Sequence, residues 1–311
     1  MRAQARNEPD TTYENGDSQP LYLAALNHPL MPDYSTSTWA AEANAGTVDP
    51  TVARRMYEAE QYVFQRTLPI VTRTGQTRGI GTGTLFEAEG HLFLITAGHV
   101  ADECAKAESV TIPSGLASRR ARTVGPVRRL SVASEGLDLD VAALLLLDDD
   151  LTGLLRSKMG VMTADDIAPV PDGTEWFYVA GYPSVYVDAV EDDVATGMAV
   201  TVASEYVGDS PPRTSPETHL LLRHSLTGKD AAGTPVQGPA LGGISGATVW
   251  AFDVSRDEQL NWTARGALRA VAVQTHYYRG RYIRSTRWRA VAEALESVVP
   301  ETASELIKRM Q

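Results

Sequence analysis

The feature that most constrains this fold is a series of short β-prone runs that begins near Val71 and is punctuated by glycine, proline and aspartate. Residues 82–86 and 91–96 flank the segment Glu87-Ala88-Glu89-Gly90, which predicts a hairpin turn. Similar short runs follow as far as residues 281–284. Many short strands with few helices indicate an all-β sandwich or barrel.

Helical periodicity is confined to the two sides of this β-rich region. Asp49-Pro50 has the form of a helix start, and apolar residues then recur at spacings of three to four. We expect this first helix to end near Leu68-Pro69, because proline cannot continue a helix. Trp288, Val291, Ala292 and Leu295 predict a helix near the other end, and Pro300 is expected to separate it from a last short helix over 301–310.

The bulk composition narrows the possible partners and compartment. The net charge of −11 disfavours nucleic acid as a partner, because phosphate binding needs a basic surface. Cys104 is the single cysteine of the 311 residues, so no intrachain disulfide can form and a reducing compartment is favoured. The N-terminus has no apolar segment behind its charges, and no apolar run approaches the roughly 20 residues that span a bilayer. We therefore expect a soluble, cytoplasmic protein without a membrane partner.

Three motifs in chain order carry the functional argument: Thr96-Ala97-Gly98-His99, Asp138-Leu139-Asp140-Val141-Ala142 and Gly242-Gly243-Ile244-Ser245-Gly246. A histidine delivered by a strand can act as a general base. An acid at the start of an apolar run is expected to be partly buried and to need a partner, which an imidazole N–H would supply. Glycines around a serine allow main-chain N–H groups to point at a developing oxyanion. The set predicts a His-Asp-Ser triad.

The acid of this triad has two candidates. Asp138 and Asp140 are two residues apart and would lie on the same face of an extended strand. We prefer Asp140 because it directly precedes the apolar run 141–147. The alternative is that both acids are ordinary loop residues.

The three motifs resemble those of the trypsin-like serine proteases. Thr96-Ala97-Gly98-His99 is similar to their Thr-Ala-Ala-His block, Asp140-Val141-Ala142 to their Asp-Ile-Ala block, and Gly243-Ile244-Ser245-Gly246 to their Gly-Asp-Ser-Gly block. The resemblance covers roughly residues 75–285. It implies an all-β-dominated fold of two six-stranded antiparallel β-barrels of the chymotrypsin type, with an added N-terminal helix and C-terminal helices. It also implies a serine endopeptidase that acts on a protein or peptide substrate without a cofactor or metal.

On this basis we divide the chain into five segments. They are an extended N-terminal arm (1–48), an N-terminal helix (49–70), a first barrel carrying His99 and Asp140 (71–160), a second barrel carrying Ser245 (161–285) and a C-terminal helical segment (286–311). The region 148–172 is the expected link between the barrels. Because the arm and first helix lie outside the resemblance, they are candidates for binding a regulatory protein.

The resemblance also suggests the remaining site residues. Gly243 and Ser245 would donate the oxyanion N–H groups. Pro239 would form the floor of the primary substrate pocket, and its lack of charge disfavours a preference for Arg or Lys. Gln274, Thr275 and His276 would form the opposite wall, which suggests an acidic, amide or medium apolar side chain before the scissile bond.

One departure from the family pattern bears on regulation, and other readings stay open. Ile244 replaces the acid that pairs with a new N-terminus after zymogen cleavage, so activation by N-terminal insertion is not expected. By analogy, a bacterial intracellular member could be a regulated effector of a stress or antiphage system. The alternatives are an inactive peptide-binding or scaffold protein of the same fold, an esterase, and a cysteine hydrolase built on Cys104.

Overall fold

The fold is taken from a computed structural model of the chain. The structure describes residues 23–26, 44, 46, 49–115, 120–132, 136–174, 176–190, 193–196, 198–224, 227–229, 235–237, 241–252 and 262–311. Two antiparallel β-sheets of seven strands each dominate these residues. No helix in the described ranges combines the length and apolar character needed to cross a bilayer.

The first sheet follows the order β6-β5-β2-β3-β4-β8-β7. Its strands are β2 (Thr67–Thr74), β3 (Thr77–Ala88), β4 (His91–Ala97), β5 (Ser109–Pro113), β6 (Ala121–Thr123), β7 (Val127–Ser131) and β8 (Val141–Leu146). The predicted hairpin is confirmed: Ala88 pairs with His91, and Glu89 and Gly90 form the connection with φ values of +50° and +78°. Positive φ at both positions gives a turn whose twist matches that of the flanking strands.

The second sheet follows the order β1-β12-β9-β16-β17-β18-β13. Its strands are β1 (Leu23–Leu26), β9 (Phe177–Gly181), β12 (Met198–Ala203), β13 (His219–Arg223), β16 (Thr248–Phe252), β17 (Leu268–Tyr278) and β18 (Tyr282–Arg287). Two separate hairpins, β10 (Val187–Val190) with β11 (Asp193–Thr196) and β14 (Thr227–Lys229) with β15 (Pro235–Gln237), complete the strands. The strand β1 lies at the edge of the sheet and within the predicted N-terminal arm.

Six α-helices accompany the sheets in the described residues. They are α1 (Pro50–Phe64), α2 (Gly98–Lys106), α3 (Asp149–Lys158), α4 (Ala264–Ala267), α5 (Trp288–Leu295) and α6 (Pro300–Arg309). As predicted, α1 begins after Asp49, whose carboxylate accepts the N–H groups of Thr51 and Val52. The expected end of this helix near Leu68-Pro69 is wrong, because both residues belong to β2, where Leu68 is buried. The helix α3 lies within the region 148–172 that we expected to be a link.

One large apolar core connects the sheets with the helices. It contains Phe86 and Phe93 from the first sheet, Tyr178 and Trp250 from the second, and Trp288 from α5. A second cluster lies on the other face of the first sheet and a third within the second sheet. The shared core fixes the position of one sheet against the other. Loops that begin where the two sheets meet are therefore held at fixed positions relative to each other.

The predicted fold class is confirmed in its main features. The molecule is all-β dominated, with two antiparallel sheets, a helix before them and helices after them. This arrangement agrees with a chymotrypsin-like pair of barrels. Each sheet has seven strands in the described residues where six were expected, and in the second sheet the additional edge strand is β1.

Candidate active site

His99 and Asp140 are joined by two hydrogen bonds at the end of β4. The main-chain N–H of His99 donates to Asp140 Oδ1 at 2.8 Å, and His99 Nδ1 lies 2.7 Å from Asp140 Oδ2. Gly98 permits this approach, because a Cβ at that position would lie 2.8 Å from Asp140 Oδ1. The carboxylate therefore holds both the main chain and the ring of His99, with Nε2 left as the basic nitrogen.

The contact changes the acidity of both groups. The hydrogen bond from Asp140 raises the pKa of His99 above its usual range; burial opposes this, and the nearby charges of Glu103 and Asp102 add to the rise. Burial by itself would raise the pKa of Asp140, but the hydrogen bonds and the charge of His99 outweigh it, so that the pKa is lowered. The lowered pKa favours the ionised form of Asp140, which is in contact with the His99 ring.

Asp138 does not share this role in the structure. The strand β8 begins only at Val141, so the two acids are not on one face of a strand as we had expected. Asp138 Oδ2 lies 2.8 Å from the guanidinium of Arg284, and its carbonyl oxygen contacts His219 Nε2 at 2.9 Å. Of the two candidate acids, Asp140 is the one that contacts His99.

Ser245 lies within the second of two consecutive glycine-containing turns. The four-residue turns 241–244 and 244–247 are each closed by a main-chain hydrogen bond, of 3.3 and 2.9 Å. Gly243 and Gly246 stand at the third position of these turns with φ values of +100° and +97°. A side chain is strained in this region, so glycine is needed at both positions.

Thr82, on β3, fixes the two turns at residues 241–247, here called the serine loop, against the first sheet. Its main-chain N–H donates to Ser245 O at 2.8 Å, and its hydroxyl donates to Gly243 O at 2.8 Å. The same hydroxyl accepts the N–H of Tyr182 at 3.0 Å. Sequence reasoning missed Thr82, because a threonine in a β-prone run gives no sign of contacts across two sheets.

The serine and the His99–Asp140 pair approach each other along β17. Ser245 Oγ donates to Thr275 O at 3.3 Å. The pairing of β17 with β18 shifts register between Gln274 and His276, and His276 Nδ1 then lies 3.4 Å from Asp140 Oδ2. Such a bulge re-aims side chains, which is a common device beside active sites. Within the described residues, no hydrogen bond links Ser245 Oγ to His99.

The predicted oxyanion donors lie on the same loop. Gly243 and Ser245 are half-buried, and neither main-chain N–H has an acceptor in the part of the chain that the structure describes. Their role in binding an oxyanion stays a prediction.

The predicted substrate-binding residues that the structure describes differ in how far they are buried. Pro239 lies outside the described residues. Gln274 and Thr275 are fully buried, and neither polar atom of the Gln274 side chain has a hydrogen-bond partner among the described residues. His276 is half-buried beside Asp140, and its Nδ1 lies 2.6 Å from the guanidinium of Arg284. Arg284 is a second residue that the sequence did not single out; its role depends on the register of β17 and β18.

One group among the described residues has the spacing of a metal site. Ligand atoms of His99, Asp140 and His276 all lie within 4.8 Å of one another. Both histidine Nδ1 atoms already have partners, and the Arg284 guanidinium on His276 would repel a cation. These contacts disfavour a bound cation at this group.

Cys104 is an unfavourable nucleophile. Its side chain is buried in the apolar cluster of the first sheet, and burial raises the pKa of its thiol to about 11. A thiol that stays protonated near neutral pH is inert. The hypothesis of a cysteine hydrolase thus has no support in this environment.

Comparison with known proteins finds similarity only at the level of structure. No protein-family model and no curated protein matches the chain. The protease Anisep from Arthrobacter nicotinovorans is similar over 76% of this chain and 96% of its own, with 13% identity and a TM-score of 0.46. The thermostable serine protease AL20 from an extremophilic microorganism is similar over 77% of this chain and 99% of its own, with 10% identity and a TM-score of 0.44. The Rv3671c protease from M. tuberculosis is similar over 80% of this chain and 87% of its own, with 16% identity and a TM-score of 0.45.

Proposed function

We propose that this chain is a serine endopeptidase with Ser245 as nucleophile, His99 as general base and Asp140 as the acid that orients and stabilises His99. The observation that carries the proposal is the double hydrogen bond of Asp140 to His99, with the glycine-flanked Ser245 held beside it through Thr275. A half-buried acid that holds one histidine by both main chain and ring leaves Nε2 as the base, which is the arrangement that acyl transfer needs.

The proposed reaction proceeds through an acyl-enzyme. His99 Nε2 takes the proton of Ser245 Oγ as the oxygen attacks the substrate carbonyl, and Asp140 stabilises the imidazolium that forms. The N–H groups of Gly243 and Ser245 would bind the oxyanion. His99 returns the proton to the leaving amine, and water releases the acyl group from Ser245 by the same steps in reverse.

A fluorophosphonate probe tests the nucleophile, because an activated serine displaces fluoride from its phosphorus atom. We expect the wild type to be labelled and Ser245→Ala to be unlabelled. Ser184→Ala is the matched control: Ser184 is exposed beside the same loop, where its N–H donates to Gly242 O. Equal labelling of the wild type and Ser245→Ala would overturn the proposal.

A second candidate function is a catalytically inactive protein of the same fold that binds peptides. The observation that favours it is the hydroxyl of Ser245, which donates to Thr275 O and forms no hydrogen bond with His99 among the described residues. In an active enzyme this hydroxyl must rotate toward His99. If the folded wild type binds peptides yet resists fluorophosphonate at every pH, this candidate replaces the first.

The proposed substrate side chain before the scissile bond is acidic or an amide. Gln274 and Ser285 are direct partners across β17 and β18, so their side chains share a face of the sheet. Both are fully buried, and their polar side-chain atoms have no partner in the part of the chain that the structure describes. We propose that the site opens to admit a polar substrate group that satisfies them. A library of fluorogenic peptides tests this: Gln274→Leu should shift cleavage toward apolar side chains, and Arg-selective cleavage by the wild type would exclude the idea.

We also propose that the N-terminal arm regulates the protease as part of a bacterial stress or antiphage response. The support is that β1 (Leu23–Leu26), which lies in the arm, pairs with β12 (Met198–Ala203). The same sheet contains β16, the strand that follows Ser245 along the chain. A chain that begins at residue 49 should be labelled by fluorophosphonate at a different rate from the full chain. Equal rates in two folded proteins would assign the arm no regulatory role.

A further inference from the structure

Arg284 connects two acids of the site through one histidine. Its guanidinium NH2 lies 2.8 Å from Asp138 Oδ2 and 2.6 Å from His276 Nδ1. The Arg284 side chain is only 4% exposed, whereas Asp138 and His276 are each more than a third exposed, so the guanidinium reaches both partners from the buried side. The register shift in β17 makes His276 its direct partner across the sheet.

The two histidines of the site face the same carboxylate oxygen. Asp140 Oδ2 lies 2.7 Å from His99 Nδ1 and 3.4 Å from His276 Nδ1. The two rings are tilted against each other with centroids 5.4 Å apart. If His276 carried a proton on Nδ1, it would compete with His99 for this oxygen.

The contact with Arg284 determines whether Nδ1 of His276 carries a proton. A guanidinium has only N–H donors, so its contact with Nδ1 requires that nitrogen to be an unprotonated acceptor. A proton on Nδ1 would instead meet the N–H groups of Arg284 and direct the ring toward Asp140. The same nitrogen cannot serve both partners.

We infer that Arg284, held by Asp138, is a positioning residue that keeps His276 an acceptor and so reserves Asp140 for His99. The inference rests on the proposed function, because it concerns the acid of the proposed triad. It also gives a use to Asp138, the acid that does not contact His99.

The charges around His276 come from three elements. His99 faces it from α2, Asp138 and Asp140 face it from the segment before β8, and Arg284 faces it from β18. Burial lowers the pKa of His276, and Arg284 lowers it further; the two acids act in the opposite direction. Loss of Arg284 would therefore leave His276 beside two carboxylates, which favour its charged form.

A double-mutant cycle on the pH profile of fluorophosphonate labelling tests the inference. In Arg284→Met the acid limb should move up by about one pH unit, because His276 beside two carboxylates then takes a proton at a higher pH than His99 does, and protonated His276 withdraws Asp140 from His99. In the double variant Arg284→Met/His276→Asn the limb should return to its wild-type position, each profile being scaled to its own rate at pH 8. A limb unchanged by Arg284→Met, or not restored in the double variant, would overturn the inference. A purely structural loss would not be rescued by a second substitution.

A measurement on the wild type keeps the inference testable if the variants fail to fold, and it does not depend on activity. Nitrogen-15 NMR should find His276 protonated on Nε2 only and titrating below His99. A proton on Nδ1 of His276 at neutral pH would contradict the inference even if the wild type is labelled. If labelling fails while this tautomer is observed, the proposed function is wrong but the arginine contact stands.

Discussion

At the scale of single residues, the site depends on one acid that serves one histidine. Asp140 binds both the main chain and the ring of His99, whereas Asp138 binds Arg284. Two acids two residues apart thus have different partners, because the chain between them has not yet entered a strand. Exchange of either acid should separate these roles.

Asp140→Asn should reduce fluorophosphonate labelling by about 10⁴-fold, because an amide no longer fixes the tautomer of His99 or stabilises its charged form. Asp138→Asn is the matched control two residues upstream, and its effect should be far smaller. Labelling rates of the two purified variants, measured at the same pH, give the comparison. Similar losses in both would mean that Asp140 has no special role.

The pH dependence of the wild type follows from the raised pKa of His99. The base must be neutral, and Asp140 favours the protonated ring, so labelling should rise with pH through a midpoint above the ordinary value of 6.5. In Asp140→Asn the residual rate should have its midpoint at lower pH. A wild-type midpoint below 6.5 would show that the Asp140 contact does not control His99.

At the scale of elements, the serine loop is shaped by its two positive-φ glycines and by β3. Gly246 has the tighter surroundings: a Cβ there would lie 1.9 Å from Thr82 O, whereas among the described residues the nearest atom to a Cβ at Gly242 is 3.6 Å away. The loop therefore tolerates a side chain at position 242 and excludes one at position 246.

Gly246→Ala should lower the free energy of unfolding by more than about 2 kcal/mol, because it adds backbone strain to a steric clash. Gly242→Ala should change it by less than about 1 kcal/mol, since the added methyl group meets no close atom. Urea unfolding of both variants and the wild type measures the difference. Equal stability of the two variants would contradict the described loop.

At the scale of the whole molecule, the two sheets are joined by a shared apolar core and by the hydroxyl of Thr82. The core brings Phe86 and Phe93 against Tyr178 and Trp250. Thr82 adds direction, since its hydroxyl connects β3 to the loop after β9 and to the serine loop. The site therefore belongs to the junction of the sheets, and its residues are assembled only when both have folded.

Thr82→Val keeps the shape of the side chain but leaves Tyr182 N–H and Gly243 O without their partner. We expect a loss of about 2 kcal/mol in the free energy of unfolding, together with slower labelling of Ser245. Thr77→Val is the control, because Thr77 lies exposed on the same strand. Chemical unfolding and labelling rates would measure both effects. If Thr82→Val were as stable as the wild type, the hydroxyl of Thr82 would not stabilise the junction of the sheets.

Much of this organisation could be predicted from the sequence. Short β-prone runs gave the all-β fold, and Asp49-Pro50 gave the start of α1, because these patterns depend on local chemistry. The motifs around His99 and Asp140 placed two residues that the structure brings into contact. Ser245 could be singled out because of the glycines around it, two of which adopt positive φ in the structure.

The rest depends on contacts between distant residues. Leu68-Pro69 looked like a helix end, but burial of Leu68 places the pair in β2. The contacts of Thr82 with the serine loop and of Arg284 with His276 follow from strand register and from a bulge. No local pattern in one sequence reveals such register.

In the proposed function, Ser245 forms an acyl-enzyme with the help of His99 and Asp140. The most direct test is the pre-steady-state release of p-nitrophenol from p-nitrophenyl acetate. The wild type should release a burst of about one equivalent per chain followed by a slower steady rate, and Ser245→Ala should show no burst. A linear trace of equal slope from both proteins would contradict the account.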